Sequence, residues 1–359
     1  MPSQPICTAR YHAPVPATSP TSPSLIRLIT RLLAEHDVSL NARDAVIACS
    51  GGVDSVVLVD LIAHLPKGSQ PRTITVVHAD HGLRDDGGVA REAARAAAAR
   101  VAGATFLTID APAGSLAGAN LQARARDWRR SELAAIAREF DNAMVLTGHH
   151  ADDQLETVLY ALVASSGGAP LTGMSVSATI DEVLLVRPLL AITRKEIETH
   201  AASRDLVFAH DPSNDDTSQF RRNVIRHNVV PELLGVHPGA GANLARAIER
   251  AREQQEALAA FAGATAVAGA DAGIDDYAFD LRVLAGLPEV ARREVLASWL
   301  RAAGDVGRSL SARNLAAVAQ LAGVGFRSGK NVAIVQVGTA CVRRDGYRLL
   351  LSSARPPVS

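Results

Sequence analysis

Residues 45–62 read AVIACSGGVDSVVLVDLI. The apolar, largely β-branched run from Ala45 to Cys49 stops at Ser50-Gly51-Gly52 and resumes at Val53 as an apolar pattern that fits a buried helix. A strand, a glycine turn and a helix start are expected in that order. Two residues without Cβ let the main chain approach a ligand, and the first N–H groups of the helix have no partner inside it, so the bend suits an anion. A charge-assisted N–H to phosphate bond contributes roughly 1.5–3 kcal/mol, against about 0.3–1 kcal/mol from the helix dipole, so the donated bonds dominate. A Gly-Gly pair alone would favour an ordinary strand-to-helix turn. The hexapeptide SGGVDS says more, because it lacks both the Gly-Lys-Ser/Thr of a Walker loop and the spaced glycines of a dinucleotide fingerprint.

Working outward, strands are expected at Ala45–Cys49, Thr73–Val77, Thr105–Ile109, Ala143–Thr147 and Val183–Val186, with helical stretches between them, starting from Leu25–His36. Such alternation predicts an α/β fold with a doubly wound, mostly parallel sheet, whose ligands bind beyond the carboxyl ends of the strands. The polar sequences fall there: SGGVDS after the first strand, HADHGLRDD after the second and GHHADD after the fourth. Thr193 and Glu196 form a capping box for a helix running to about Arg204. Beyond Pro231 long helical segments dominate, near Asn243–Ala262, Glu289–Ala303 and Ser311–Leu321, before a terminal β-hairpin from Val332–Val337 and Cys341–Leu351 with a turn at Asp345-Gly346. The expected domains are a Pro/Ser-rich disordered tail at 1–24, an α/β domain at 25–230, and a second, mainly helical C-terminal domain at 231–359.

With 359 residues and 48% hydrophobic content the chain can bury a sizeable core. No uncharged apolar run reaches membrane-spanning length, so no membrane partner is expected. The formal net charge is zero, so any nucleic-acid partner must be gripped by local patches. Arginine supplies 34 of the 37 basic residues, and guanidinium is the better phosphate fork. Cys7, Cys49 and Cys341 have no CxxC or metal-type spacing, which fits a reducing, cytoplasmic setting.

Each candidate side chain has two readings. Asp54 and Ser55 lie in the first turn after the glycines, where a carboxylate either caps the helix or ligates magnesium beside a bound nucleotide. Ser50 and Ser55 either donate to phosphate oxygens or serve the turn. His78 and Asp80 end the second strand, and Glu156 follows Asp153 on one helical face after the fourth. Without SGGVDS, these two His/Asp clusters at neighbouring strand ends resemble a two-metal phosphoesterase, a rival that leaves the hexapeptide unexplained.

In full, SGGVDS resembles the PP-loop of the N-type ATP pyrophosphatases, which cleave ATP between its α and β phosphates. The ordered set resembles one branch of that group, the tRNA(Ile)-lysidine synthetases. It comprises SGGVDS, HADHGLR at 78–84, the AR of Ala125-Arg126 with Arg129, GHHADDQLET at 148–157, RPLL at 187–190, and DPSN with RRNVIR between Asp211 and Arg226. The resemblance runs over roughly Leu25–Leu234.

It implies an enzyme that uses ATP, with Mg2+, to adenylate the 2-carbonyl oxygen of the wobble cytidine in the CAU-anticodon tRNA(Ile). The ε-amine of L-lysine then displaces AMP to give lysidine. On that reading Ser50, Gly51, Gly52, Val53, Asp54, Ser55, His78 and Asp80 form the ATP site. Asp54, Asp153, Glu156 and Arg222 are catalytic, Asp153 and Glu156 hold lysine, and Asp54 with Asp153 holds the metal. Arg126, Arg129, Arg222 and Arg226 meet the tRNA, although as bare charges they would line a solvated helix face. A homodimer is left open. Departures are Arg130 where the family usually has an aromatic residue, and the uncharged ASSGGAPLTG where it often carries basic ones. Sulfur-inserting relatives need clustered cysteines, and only Cys49 is near.

Overall fold

The computed structural model describes residues 8–9, 23–80, 87–112, 121–164, 171–210, 224–237, 240–272, 277–303, 310–323, 334–338 and 340–353. The expected tail lies outside them apart from Thr8–Ala9 and Pro23-Ser24. Two compact units, Met1–Ile248 and Glu249–Ser359, divide the chain.

In the first unit the strands are β1 (Thr8–Ala9), β2 (Asp44–Ala48), β3 (Thr73–Asp80), β4 (Thr105–Asp110), β5 (Ala143–Leu146), β6 (Ser177–Ile180) and β7 (Val183–Val186). They form one sheet in the order β1-β4-β3-β2-β5-β7-β6. β4, β3, β2, β5 and β7 run parallel, and the outermost strands β1 and β6 run antiparallel to their neighbours. Chain order proceeds outward from β2 through β3 to β4, then crosses back to β5. The switch point therefore lies between β2 and β5, where open α/β sheets take their ligands.

The period-2 alternation of the strands sorts their side chains onto two faces. Ala45, Ile47, Val76, Met144, Leu146 and Val186 share one core with α1 (Pro23–Glu35), α2 (Val53–Ala63), α3 (Gly87–Ala99) and α6 (Arg194–Ser203). Val46, Val77, Leu107, Val145 and Leu185 share another with Leu133, Ala134, Ile136 and Ala137 of α4 (Leu121–Arg138). Between these, α5 (Ala151–Ala164) follows β5. Burial on both faces explains why β2 reads as apolar from Ala45 onward. Within α2, every residue from Val53 to Ile62 except Asp54 is buried, the pattern of a helix enclosed on all sides.

One buried residue of α2 is charged. Asp60 accepts from Arg204 Nη2 at 2.9 Å and Nε at 3.2 Å, and pairs with His200 Nε2 at 2.9 Å. Burial alone would raise its pKa, but the bonds from His200 and Arg204 overcome that and hold it at about 2. This cluster ties α2 to the end of α6 inside the apolar layer.

Residues 225–229 form a turn of π-helix running into α7 (Val230–Val236), and Ile225 and Val230 pack on Leu155 of α5. The division between the units falls inside the long α8 (Ala240–Gly269). Pro231 stands in the first turn of α7, where proline is tolerated.

The second unit carries α9 (Glu289–Ala302), α10 (Ala312–Gly323) and a five-stranded antiparallel sheet. The expected hairpin is three strands, Ile334–Val337, Ala340–Asp345 and Arg348–Ser353, turning at Gly346 with φ 56°. Two strands not expected, Ala270–Ala272 and Tyr277–Asp280, complete the sheet. The unit thus combines its helices with a small antiparallel sheet that extends the expected hairpin. Trp299 of α9 fills its core between Tyr277 and Phe279, with ring centroids 5.8 and 5.3 Å away. Among the described residues no helix is long and apolar enough to cross a membrane.

Candidate active site at the switch point

The bend after β2 takes the expected form. Gly51 has φ 85°, and a Cβ there would stand 2.2 Å from the carbonyl oxygen of Ala90 on α3, so only glycine fits. Gly52 is the N-cap of α2 and supplies no side-chain cap. The amides of Val53, Asp54 and Ser55 therefore have no acceptor within the helix. Ser55 is buried, and its hydroxyl donates to Gly52 O at 2.8 Å while lying 3.3 Å from Ser50 Oγ. Both hydroxyls serve the turn in this state.

Asp54 does not cap the helix. Its two carboxylate oxygens accept from Arg194 Nη1 at 3.0 and 2.8 Å. Across the switch point, Gly148 lets the loop after β5 approach, since a Cβ there would stand 3.1 Å from the Asp54 carbonyl. That approach seats the buried His150 among three carboxylates. Its Nε2 lies 3.7 Å from Asp54 and 3.5 Å from Asp153, and its Nδ1 lies 3.6 Å from Asp152. Burial works against the imidazolium, but these carboxylates outweigh it and raise the His150 pKa. Asp54 is raised too, because burial outweighs the pull of His150 and Arg194. Asp152 is lowered, since His150 and the Arg194 amide overcome its burial.

Asp153 has two duties. Its Oδ2 accepts from the His150 amide at 2.9 Å, as an N3 carboxylate does at a helix start. Its Oδ1 accepts from Arg226 Nη2 at 3.2 Å, and Arg226 Nε donates to Glu156 Oε1 at 2.5 Å. Asp153 and Glu156 thus share one face of α5, as their spacing predicted, and already hold a side-chain cation.

At the end of β3, the pKa of the buried His78 is lowered by that burial, and its Nδ1 lies 3.0 Å from Cys49 O. Asp80 pairs with Arg91 at 3.0 Å. These residues flank the bend on the side away from β5. The two His/Asp clusters are therefore not at neighbouring strand ends. β2 stands between them, so β3 and β5 lie about 9–10 Å apart. Two-metal centres need ions about 3.5–4 Å apart. Among the described residues no group of three or more His, Cys, Asp or Glu side chains could hold a metal ion. Magnesium asks for less, one or two carboxylates completed by water and phosphate oxygens, and Asp54 with Asp153 offers that hard-oxygen pair.

Arg126 is exposed and Arg129 partly buried on α4, the latter with its pKa lowered by burial and by Arg126. Among the described residues no hydrogen bond or ion pair joins either to the Asp54–Asp153 centre. Arg222, and with it DPSN, lies outside the described residues. Cys49 is buried with its thiol pKa raised by that burial, so it is no ready nucleophile. The Thr193–Glu196 capping box forms as expected. Arg194, the next residue, is the site residue that sequence reasoning missed, and its position inside that box was the available signal.

Comparison with known proteins places this geometry. A family model for the PP-loop domain matches residues 22–233, and one for the TilS substrate binding domain matches residues 279–350. The tRNA(Ile)-lysidine synthase of Pseudomonas fluorescens is 37% identical over 234 residues, 65% of this chain and 51% of that protein. That of Salinispora arenicola is 33% identical over 355 residues, 95% of this chain and 99% of that protein. The chain thus spans about half the length of the first relative and nearly all of the second. Among solved structures, a U34-tRNA thiolase from Methanococcus maripaludis superposes with a TM-score of 0.52 at 18% identity, covering 63% of this chain and 78% of that one, a likeness of fold. With a PP-loop match over more than half of its residues and a relative aligned almost end to end, this chain belongs to the tRNA(Ile)-lysidine synthase family.

Proposed function

We propose that the protein ligates L-lysine to the wobble cytidine of a CAU-anticodon tRNA(Ile), in the cytoplasm, at the expense of ATP. The base oxygen attacks the α phosphate and diphosphate leaves; the lysine ε-amine then attacks C2 and AMP departs with that oxygen. The observation that carries this reading is the meeting, at the switch point, of an uncapped helix start with an acidic pair that already holds a cation. The amides at the glycine bend bind the diphosphate portion of ATP, because hydrogen bonds aimed at an anion need no reorganisation as charge develops. Magnesium, held by Asp54 and Asp153, supplies neutralisation of the phosphate charge when bound.

Asp153 and Glu156 receive the lysine ammonium where the Arg226 guanidinium stands in this structure. Arg226 then turns to the RNA backbone together with Arg126, Arg129 and Arg222. His78 and Asp80 border the nucleotide site, His78 by buttressing the strand that ends in the bend. Residues 25–230 form the catalytic part, and the C-terminal part positions the tRNA.

Purified protein given ATP, lysine and CAU-anticodon tRNA is expected to release AMP and diphosphate only when the tRNA is present. No tRNA-dependent release would reject the reading, and metal-dependent phosphodiester cleavage without ATP would favour the phosphoesterase instead.

A further inference from the structure

Two of the site's carboxylates converge on Arg194. It is the first residue of α6, so its own amide is a donor that the helix leaves unpaired. That amide donates to Asp152 Oδ2 at 2.8 Å, which pins the start of α6 to the start of α5. The side chain reaches back across the fold to both oxygens of Asp54, 140 residues away in sequence. Glu198 steadies it by accepting from Nε at 2.8 Å. The side chain is 37% exposed, and its Nη2 makes no hydrogen bond among the described residues. A steadied cation with spare donors therefore stands at the first turn of the helix whose amides point outward.

We propose that Arg194 is a phosphate ligand of the nucleotide site. In the ligand-free protein it neutralises Asp54; when the nucleotide enters, it turns its fork to a phosphate oxygen and leaves Asp54 to the divalent cation that accompanies the nucleotide. This rests on the ATP reading above. Two physical arguments support the exchange. Guanidinium matches phosphate oxygens in a bidentate manner that a lysine ammonium cannot. Asp54, confined beside two further carboxylates, needs a cation in both states, and the exchange gives it one in each.

The test is calorimetric titration of the full chain with MgATP and with inorganic pyrophosphate, alongside thermal unfolding without ligand. Arg194→Ala is expected to weaken both ligands about tenfold or more while the ligand-free melting temperature stays within a few degrees of wild type. Wild-type affinity in that variant overturns the proposal. So does a loss of affinity that only tracks a fall in melting temperature, which assigns the Arg194 side chain to tying α6 to α2 through Asp54. If the alanine variant does not fold, Arg194→Lys, which keeps the charge and loses the fork, is expected to bind MgATP about threefold or more weakly. Wild-type affinity there overturns the proposal equally. If the wild-type chain takes up no MgATP, the ATP reading itself fails, a result distinct from all of these.

Discussion

Asp60→Asn is expected to lower the free energy of unfolding of the first unit by about 3–5 kcal/mol. The side chains of Asp60, Arg204 and His200 are 4%, 1% and 0% exposed, so no water can replace the lost carboxylate. The substitution strands a guanidinium inside an apolar layer, and the cost is that of an uncompensated buried charge rather than of one hydrogen bond. Replacing Asp60 and Arg204 together by apolar residues is expected to cost far less. Urea unfolding read by hydrogen exchange at the α2 amides checks this, because a two-unit chain need not unfold in one step. A loss below about 1 kcal/mol would contradict it.

The same pair sets an acid limit. The folded-state pKa of Asp60 is depressed from 3.8 to about 2, so its contribution is complete above pH 4 and disappears as pH falls through about 2. That shift corresponds to about 2 kcal/mol. The Asn variant is expected to lose this part of its pH dependence.

The second large effect is on chemistry. Asp54→Ala is expected to reduce tRNA-dependent AMP release by about 10²–10³-fold while leaving the circular dichroism spectrum unchanged. The fold tolerates the change because Gly52, not Asp54, is the N-cap, and because the partner Arg194 is exposed enough to be hydrated. Loss of structure would mean that Asp54 holds the helix start after all. Turnover within a few-fold of wild type would remove it from the reaction.

The parallel sheet was legible because strands buried on both faces read as unbroken apolar runs such as Ala45–Cys49. The glycine bend and the Thr193–Glu196 box were legible because each is local chemistry at fixed spacing. β6 was not. It is polar and short, and the turn joining it to β7 places Asp181 and Glu182 at φ 45° and 69° without the glycine or asparagine that marks such turns.

Burial hid Asp60, the buried acid of an otherwise apolar stretch of α2, whose partners sit 140 and 144 residues away. The same distance concealed the pairing of Arg194 with Asp54, although the capping box marked Arg194 as the opening residue of a helix. The two His/Asp clusters follow the second and fourth expected strands, and nothing local in the sequence shows that the sheet inserts β2 between them.

The central claim is that amides at the glycine bend hold the phosphates that leave when a base is activated. A crystal structure with magnesium and an ATP analogue uncleavable between the α and β phosphates tests it most directly. The account predicts the β and γ phosphates within hydrogen-bond distance of the amides between Gly51 and Ser55. A nucleotide bound elsewhere on the chain, with that bend left empty, would contradict it.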